Sequence, residues 1–243
     1  MKLANNKVVA HRGAWKNNRL PENSIAALKA AISQGCAGSE TDVHMTADSA
    51  LVINHDNEWN GLTIQKNNLT DLRKKNLSNG EPLPLLQDFL STITHQKITK
   101  LILEIKPSVQ GQEWSNATVQ KTIALVKKMN AEPWIIYISF DYEMLKEVLR
   151  LEPSANTQYL NGDKTPEQLK ADGIKGADYH YSVFKKHPEW IASAKENNID
   201  LDAWTVNEEK DMNWLLENRF NFITTNKPEL LFKITKQPAV DKK

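Results

Sequence analysis

Along the chain, short apolar runs alternate with longer stretches in which apolar residues recur every three or four positions, the pattern of strands followed by amphipathic helices. This pattern predicts strands at Val8–His11, Ser39–Val43, Leu51–Asn54, Leu101–Ile105, Trp134–Ser139, Thr157–Leu160, Ala177–Tyr181, Leu201–Val206 and Phe222–Thr225. Helices are predicted at Ser24–Gln34, Leu85–Thr94, Ala117–Asn130, Tyr142–Leu151, Pro166–Asp172, Pro188–Asn197, Glu208–Glu217 and Glu229–Lys233. Capping residues mark several helix starts, namely Asn23-Ser24, Asp141 and Thr165-Pro166. Neither a long Gly/Ser/Pro linker nor an internal repeat divides the chain, so residues 1–243 read as one domain.

The strands Ser39–Val43 and Leu51–Asn54 are too close in sequence for a parallel crossover, which takes about a dozen residues or more. They must form an antiparallel hairpin turning near Ala47-Asp48-Ser49-Ala50. Setting the returning arm aside leaves eight strands, nearly all followed by helices, and that alternation favours an α/β fold of the (β/α)8 TIM-barrel kind. A doubly wound open sheet would carry a Gly-rich phosphate turn, and none is present. The stretch from Asn57 to about Leu83 is polar and weakly periodic, and is read as a small insertion over the barrel mouth.

Lys+Arg 31 against Asp+Glu 30 leaves a net charge of +1, so no global field draws the chain to nucleic acid or to an acidic membrane surface. An anionic substrate must be captured by a local site. No run of about 18 apolar residues occurs, which predicts no membrane insertion. The first residues, Met1 to Lys7, hold no apolar leader. As it stands the sequence reads as cytoplasmic, or as periplasmic or secreted if a leader has been removed. The one cysteine, Cys36, cannot form an internal disulfide and reads as a small core residue.

Active sites of such barrels lie at the C-terminal ends of the strands, and reactive residues fall there. The first strand ends in His11-Arg12-Gly13. The second carries Glu40 and Asp42, whose i, i+2 spacing places both carboxylates on one face. Glu104 and Lys106 end another strand with the same spacing. Charges inside apolar strands are costly unless paired or bound to metal, and three converging carboxylates suit one hard divalent cation, Mg2+ or Ca2+. Salt bridges to Arg12 and Lys106 would account for one such strand, and poorly for two. If the hairpin is regular about a turn between Asp48 and Ser49, cross-strand partners have numbers summing to about 97, which sets Asp42 opposite His55. The returning arm then carries His55 to the acids, facing His11.

His11-Arg12-Gly13, Pro21-Glu22-Asn23-Ser24, Glu40-Thr41-Asp42-Val43, His55-Asp56, Glu104-Ile105-Lys106, Trp204-Thr205-Val206-Asn207 and Thr225-Asn226-Lys227-Pro228 together resemble the glycerophosphodiester phosphodiesterase family. Each piece is common by itself; the ordered set, spanning nearly the whole chain, is specific. The resemblance implies a (β/α)8 barrel that hydrolyses glycerophosphodiesters, as small-molecule substrates, to an alcohol and sn-glycerol 3-phosphate. It implies metal ligation by Glu40, Asp42 and Glu104, acid and base roles for His11 and His55, and Arg12 and Lys106 near the phosphate. The last motif departs from the family, which often has Asp where this chain has Asn226.

These roles meet the demands of the reaction: neutralising the phosphoryl oxygens, activating a nucleophile and protonating a poor leaving group. Two routes fit the residues equally: a glycerol hydroxyl as nucleophile, giving a cyclic phosphate that water opens, or direct attack by water; either histidine can begin as base. Trp204 reads as an apolar wall for the glycerol carbons or as barrel core, and His180, at a strand end, as a pocket residue. His44 reads as structural or exposed, and Phe184, Trp190 and Trp214 as packing residues. A membrane-active phospholipase of related fold would need exposed apolar loops or a basic face, which Asn57–Leu83 does not supply. A noncatalytic glycerophosphodiester-binding protein would not need both histidines and all three acids.

Overall fold

The computed structural model describes residues 3–236. Eight parallel strands close into a barrel: β1 (Val8–Ala10), β2 (Gly38–Met45), β6 (Lys100–Ile105), β7 (Ile135–Ser139), β8 (Thr157–Tyr159), β9 (Gly176–His180), β10 (Asp200–Trp204) and β11 (Phe222–Thr225). Closure is made by β1, which pairs in parallel with both β11 and β2. Helices α1 (Ile25–Gln34), α3 (Leu86–Thr94), α4 (Gln112–Lys128), α5 (Tyr142–Leu151), α6 (Pro166–Ala171), α8 (Glu189–Asn197), α9 (Glu209–Glu217) and α10 (Pro228–Lys236) connect them. The capping residues act as the sequence predicts. The Ser24 and Asp141 side chains accept from the first turns of α1 and α5, and Thr165 and Gln168 form a capping box around Pro166.

The two-residue period of the strands divides the core in two. Val8, Ala10, Leu101, Leu103, Leu201 and Ala203 pack outward in the layers beneath the helices. Val9, Ile102, Ile136, Ile138, Leu160 and Phe222 pack inside the lumen. Gly38 faces inward too, because a Cβ there would lie 3.0 Å from Val9 and 3.1 Å from Ile102. Counting by twos from Gly38 and Ile102 therefore turns Glu40, Asp42 and Glu104 into the lumen, and the β2–β6 register sets Asp42 directly beside Glu104.

β1 is three residues long and β2 eight. Past the end of β1, the free edge of β2 is taken by the antiparallel β3 (Leu51–Ile53). The hairpin arm therefore stands at the mouth and is not a barrel strand. Its register differs from the regular one expected: Val43, His44 and Met45 pair with Ile53, Val52 and Leu51, numbers that sum to 96. The turn explains the difference. Ala47, Asp48 and Ser49 form a three-residue loop closed by Thr46 N–H to the Ala50 carbonyl (2.9 Å), with Ser49 left-handed at φ 65°. Asp42 lies opposite Asn54, whose N–H donates to the Asp42 carbonyl at 3.1 Å, and not opposite His55.

The stretch over the mouth is more ordered than its polar pattern suggests. It holds a short hairpin, β4 (Glu58–Trp59) and β5 (Leu62–Thr63), a 3-10 turn at Ile64–Lys66 and a one-turn α2 (Leu69–Leu72). Asn60 and Gly61 are both left-handed (φ 50° and 80°), the turn an Asn-Gly pair favours. Val52, Ile64, Leu72 and Leu83 give it a small core, and four apolar residues are too few to register as periodicity. Several boundaries also differ from expectation, three of them by more than a shift at a strand end. Trp134 belongs to a 3-10 turn, α4 begins at Gln112 instead of Ala117, and Tyr181 opens a short helix, α7 (Tyr181–Lys186), that follows β9 directly. Among the described residues, no helix is long and apolar enough to cross a membrane.

Candidate active site

The turn after β1 is left-handed at two successive residues, Arg12 (φ 55°) and Gly13 (φ 82°). Gly13 has no alternative, since a Cβ would lie 2.7 Å from the backbone and side chain of Ala27 in α1. Arg12 carries the strain of a non-glycine residue in that region, and its N–H is held by Glu40 Oε2 at 2.8 Å. The conformation presents His11 at the mouth. Its Nδ1 lies 2.9 Å from Asn226 Oδ1, an atom that can only accept, so Nδ1 carries the proton and Nε2 presents its lone pair. Nε2 is 3.9 Å from Glu40 Oε2. Burial, with the Arg12 guanidinium beside it, pushes the imidazole down to about 4, so His11 is neutral at neutral pH.

Glu40, Asp42 and Glu104 are buried, and one carboxylate oxygen from each lies within 4.8 Å of the others. Lys106 Nζ approaches this group at 2.8 Å from Glu104 Oε1 and 3.3 Å from Asp42 Oδ1. Burial and the Asp42 charge push Glu104 up to about 7. Burial, with Asp42 and Glu104, also pushes Glu40 well above the usual carboxylate range. Burial acts on Asp42 in the same sense, but Lys106, His55 and the Asn23 hydrogen bond outweigh it and hold the carboxyl low. Arg12 Nε also lies 4.0 Å from Asp42 Oδ2, but that guanidinium is shared with Glu22. Two cations do not compensate four carboxylates, and a divalent cation fits the deficit and the all-oxygen donor set.

The residues behind this group come from the segment before α1. Glu22 Oε1 accepts from Arg12 Nη1 at 2.8 Å. Asn23, left-handed at φ 56°, donates from Nδ2 to Asp42 Oδ2 (2.8 Å) and accepts on Oδ1 from the Thr41 hydroxyl (2.7 Å). Across the mouth, Asn207 Oδ1 accepts from the Asn226 N–H at 2.9 Å and so holds the partner of His11 in place. Sequence reasoning assigned no role to Glu22 or Asn207, and to Asn23 only a part in a helix cap. Their presence inside the motifs was the one available signal, because each acts on a residue distant in sequence.

His55 reaches the cavity by leaving the β3 ladder. Asn54 Nδ2 donates to the carbonyls of Asp56 (2.7 Å) and Glu58 (3.2 Å), folding the chain after Ile53 so that His55 lines the same cavity as His11. Its Nδ1–H donates to Asp56 Oδ1 at 2.7 Å. The buried His44 lies beneath, its Nε2 3.4 Å from the His55 carbonyl and its Nδ1 3.5 Å from Gln65 Nε2. A single tautomer satisfies both contacts, with Nε2 as donor and Nδ1 as acceptor.

The cavity at the mouth, about 120 Å³, is lined by His11, Arg12, Glu40, His55 and Glu104 on one side. Ile138, Phe140, Leu160 and Trp204 line the other. Trp204 is a wall residue, half-buried, edge-on to Phe140 (centroids 5.4 Å apart) and fixed by Nε1–H donating to the Asp178 carbonyl at 2.9 Å. His180 does not line this cavity. It caps α7, with Nδ1 2.6 Å from Ser182 Oγ, and packs edge-on against Trp204. Lys106 stands behind the acids and is likewise absent from the lining. A larger cavity, about 320 Å³, involves Lys100, Glu132, Glu152 and Asn156 at the other end of the barrel and gathers no such chemistry. Phe184 is fully buried, and Trp190 and Trp214 pack against the same outer core layer.

A sequence model of the Glycerophosphoryl diester phosphodiesterase family matches residues 11–230. The chain is 28% identical to a glycerophosphodiester phosphodiesterase of Caldanaerobacter subterraneus, over 95% of this chain and 98% of that one. A crystal structure of a glycerophosphodiester phosphodiesterase from Parabacteroides distasonis superposes with a TM-score of 0.91 at 39% identity, covering 96% of this chain and 98% of that one. An Oleispira antarctica phosphodiesterase solved with the product sn-glycerol-3-phosphate shares the fold, with a TM-score of 0.82 at 23% identity over 96% of this chain and 97% of that one.

Proposed function

The chain belongs to the glycerophosphoryl diester phosphodiesterase family and is a phosphoric diester hydrolase, and on that premise we propose how it works. Its substrates are small glycerophosphodiesters, cleaved to an alcohol and sn-glycerol 3-phosphate. Glu40, Asp42 and Glu104 hold one divalent cation, Mg2+ or Ca2+, and His11 and His55 are the acid–base pair. The observation that carries this reading is a cluster of three buried carboxylates, two of them lining one small cavity together with two histidines from separate segments. The product bound to the Oleispira antarctica relative agrees with it.

Held by Glu40, Asp42 and Glu104, the cation would supply positive charge to the phosphoryl oxygens. The side chains do the rest. Arg12, braced by Glu22, directs its guanidinium toward the cavity and adds positive charge where negative charge grows. Lys106 keeps the Asp42 and Glu104 carboxylates aimed together. His11 is neutral with Nε2 unprotonated, the form required of a base. His55, at the solvent side of the cavity and paired with Asp56, is placed to deliver a proton to a departing alkoxide. Trp204 and Leu160 offer an apolar wall to the glycerol carbons. The test is release of sn-glycerol 3-phosphate from glycerophosphocholine and glycerophosphoethanolamine with added Mg2+ or Ca2+, and its loss with chelator. No release from any glycerophosphodiester would end this reading.

A further inference from the structure

One buried carboxyl in the cavity has no task in the scheme above. Asp178 lies on β9, which stands four strands from β2 in either direction around the barrel, so it faces the metal-ligand acids across the lumen. It is 3% exposed and lines the cavity among Ile138, Leu160 and Trp204. Its Oδ1 has no hydrogen-bond partner, and no basic side chain pairs with it among the described residues. A buried polar atom left unsatisfied costs roughly 1–3 kcal/mol, and native proteins keep few of them. The fold itself does not ask for an acid here. Its main chain lies in the β9–β10 ladder, opposite Asp202, and its carbonyl also accepts from Trp204 Nε1–H, roles that any residue would fill.

The missing partner must reach Oδ1 from the cavity and must donate a hydrogen. It must also arrive with a carbon skeleton that suits an apolar wall. A phosphate held beside Arg12 and the acids would extend its glyceryl carbons toward Trp204 and Leu160, with free hydroxyls attached. We propose that Asp178 is the specificity residue for the glyceryl half of the substrate: its Oδ1 accepts a hydrogen bond from a free glycerol hydroxyl and so selects hydroxylated over plain alkyl phosphoesters. The proposal rests on the glycerophosphodiesterase reading. It adds a selecting residue on the opposite wall of the same cavity, where discrimination by a buried acceptor is strong because a ligand lacking the hydroxyl leaves that acceptor unpaired.

The test compares two phosphomonoesters that differ in hydroxyls alone, sn-glycerol 3-phosphate and propyl phosphate. Their binding to wild type, Asp178→Leu, Asp178→Ala and Asp178→Asn is followed by calorimetry with saturating Mg2+. In Asp178→Leu and Asp178→Ala, affinity for sn-glycerol 3-phosphate falls about tenfold or more toward that of propyl phosphate, the scale of one lost hydrogen bond, while propyl phosphate binds as well as before. Asp178→Asn, which keeps an oxygen acceptor, retains most of the preference. Equal losses for both ligands would make Asp178 a merely structural residue, and no loss for either would remove it from the site. Should Asp178→Leu fail to fold, as a thermal melt would reveal, the Ala and Asn variants decide. A wild type that hydrolyses glycerophosphodiesters yet binds both phosphates equally overturns this proposal alone. A wild type that releases no sn-glycerol 3-phosphate overturns the parent reading with it.

Discussion

His11 donates from Nδ1 to Asn226 Oδ1 at 2.9 Å, so a residue 215 positions away sets which nitrogen of the imidazole is free. An amide oxygen orients the ring without the charge that would stabilise its protonated form. Asn226→Asp should therefore raise the His11 pKa from about 4, by roughly one to three units for an adjacent carboxylate. With His11 as base, its active form is then lost sooner as pH falls, and the acid limb of kcat/KM moves to higher pH. An unmoved limb in the pH profile of the variant would separate His11 from the base role.

His11→Ala and His55→Ala should each lower kcat by roughly 10²–10⁴-fold while leaving circular dichroism and the melting transition close to wild type. Both side chains sit at the rim of the cavity and carry little of the core. Normal turnover in either variant rejects that residue's assignment.

Glu104 links the site to stability. Its folded-state pKa of about 7 lies above the ordinary 4.5. The buried group thus holds its proton more tightly than the unfolded chain does, and metal-free protein loses stability as pH rises from about 4.5 through 7. Glu104→Gln should flatten that part of the stability curve, by an amount on the order of 3 kcal/mol at pH 8. It should also abolish the rise in melting temperature that Mg2+ or Ca2+ gives wild type. Melts at pH 5 and pH 8, with metal and with chelator, test both parts, and a variant still stabilised by metal would break the ligand set.

Asn23→Ala should weaken metal affinity about 10–100-fold, the usual cost of removing a partner that orients a ligand. It strips Asp42 Oδ2 and the Thr41 hydroxyl of their shared partner. Metal titration by calorimetry reads the change, and an unaltered Kd would leave Asn23 as a turn residue only.

Gly13→Ala should destabilise by about 1–3 kcal/mol, because the left-handed turn leaves no space for a Cβ beside Ala27. Denaturant unfolding measures it. Since the same turn aims His11 and the Arg12 N–H, activity should fall beyond what partial unfolding explains.

The eight-stranded barrel and the inward acids were legible in the sequence because strand alternation is a local property with a period of two. Counting from Glu40 to Asp42, or from Glu104 to Lys106, needs no knowledge of neighbours. The hairpin was legible as a hairpin, since too few residues separate its arms for a crossover. Its register was not: Ser49 is not a residue that announces a left-handed position, and the three-residue loop it closes shifts every pair by one. His55 reaches the cavity all the same, because Asn54 pulls the chain out of the ladder before the shifted register would matter. The small core of Val52, Ile64, Leu72 and Leu83 was hidden by the polar residues that outnumber it.

By itself, then, the sequence determined which candidate side chains share one end of a barrel, since residue type and strand period are encoded locally. Tertiary structure alone decided how each is held: Asn226 on His11, Asn23 on Asp42, Glu22 on Arg12, and Asp178 unpaired across the lumen from the acids. Those relations join residues brought together only when the barrel closes, and hydrogen bonds a few ångströms long leave no periodic trace along the chain.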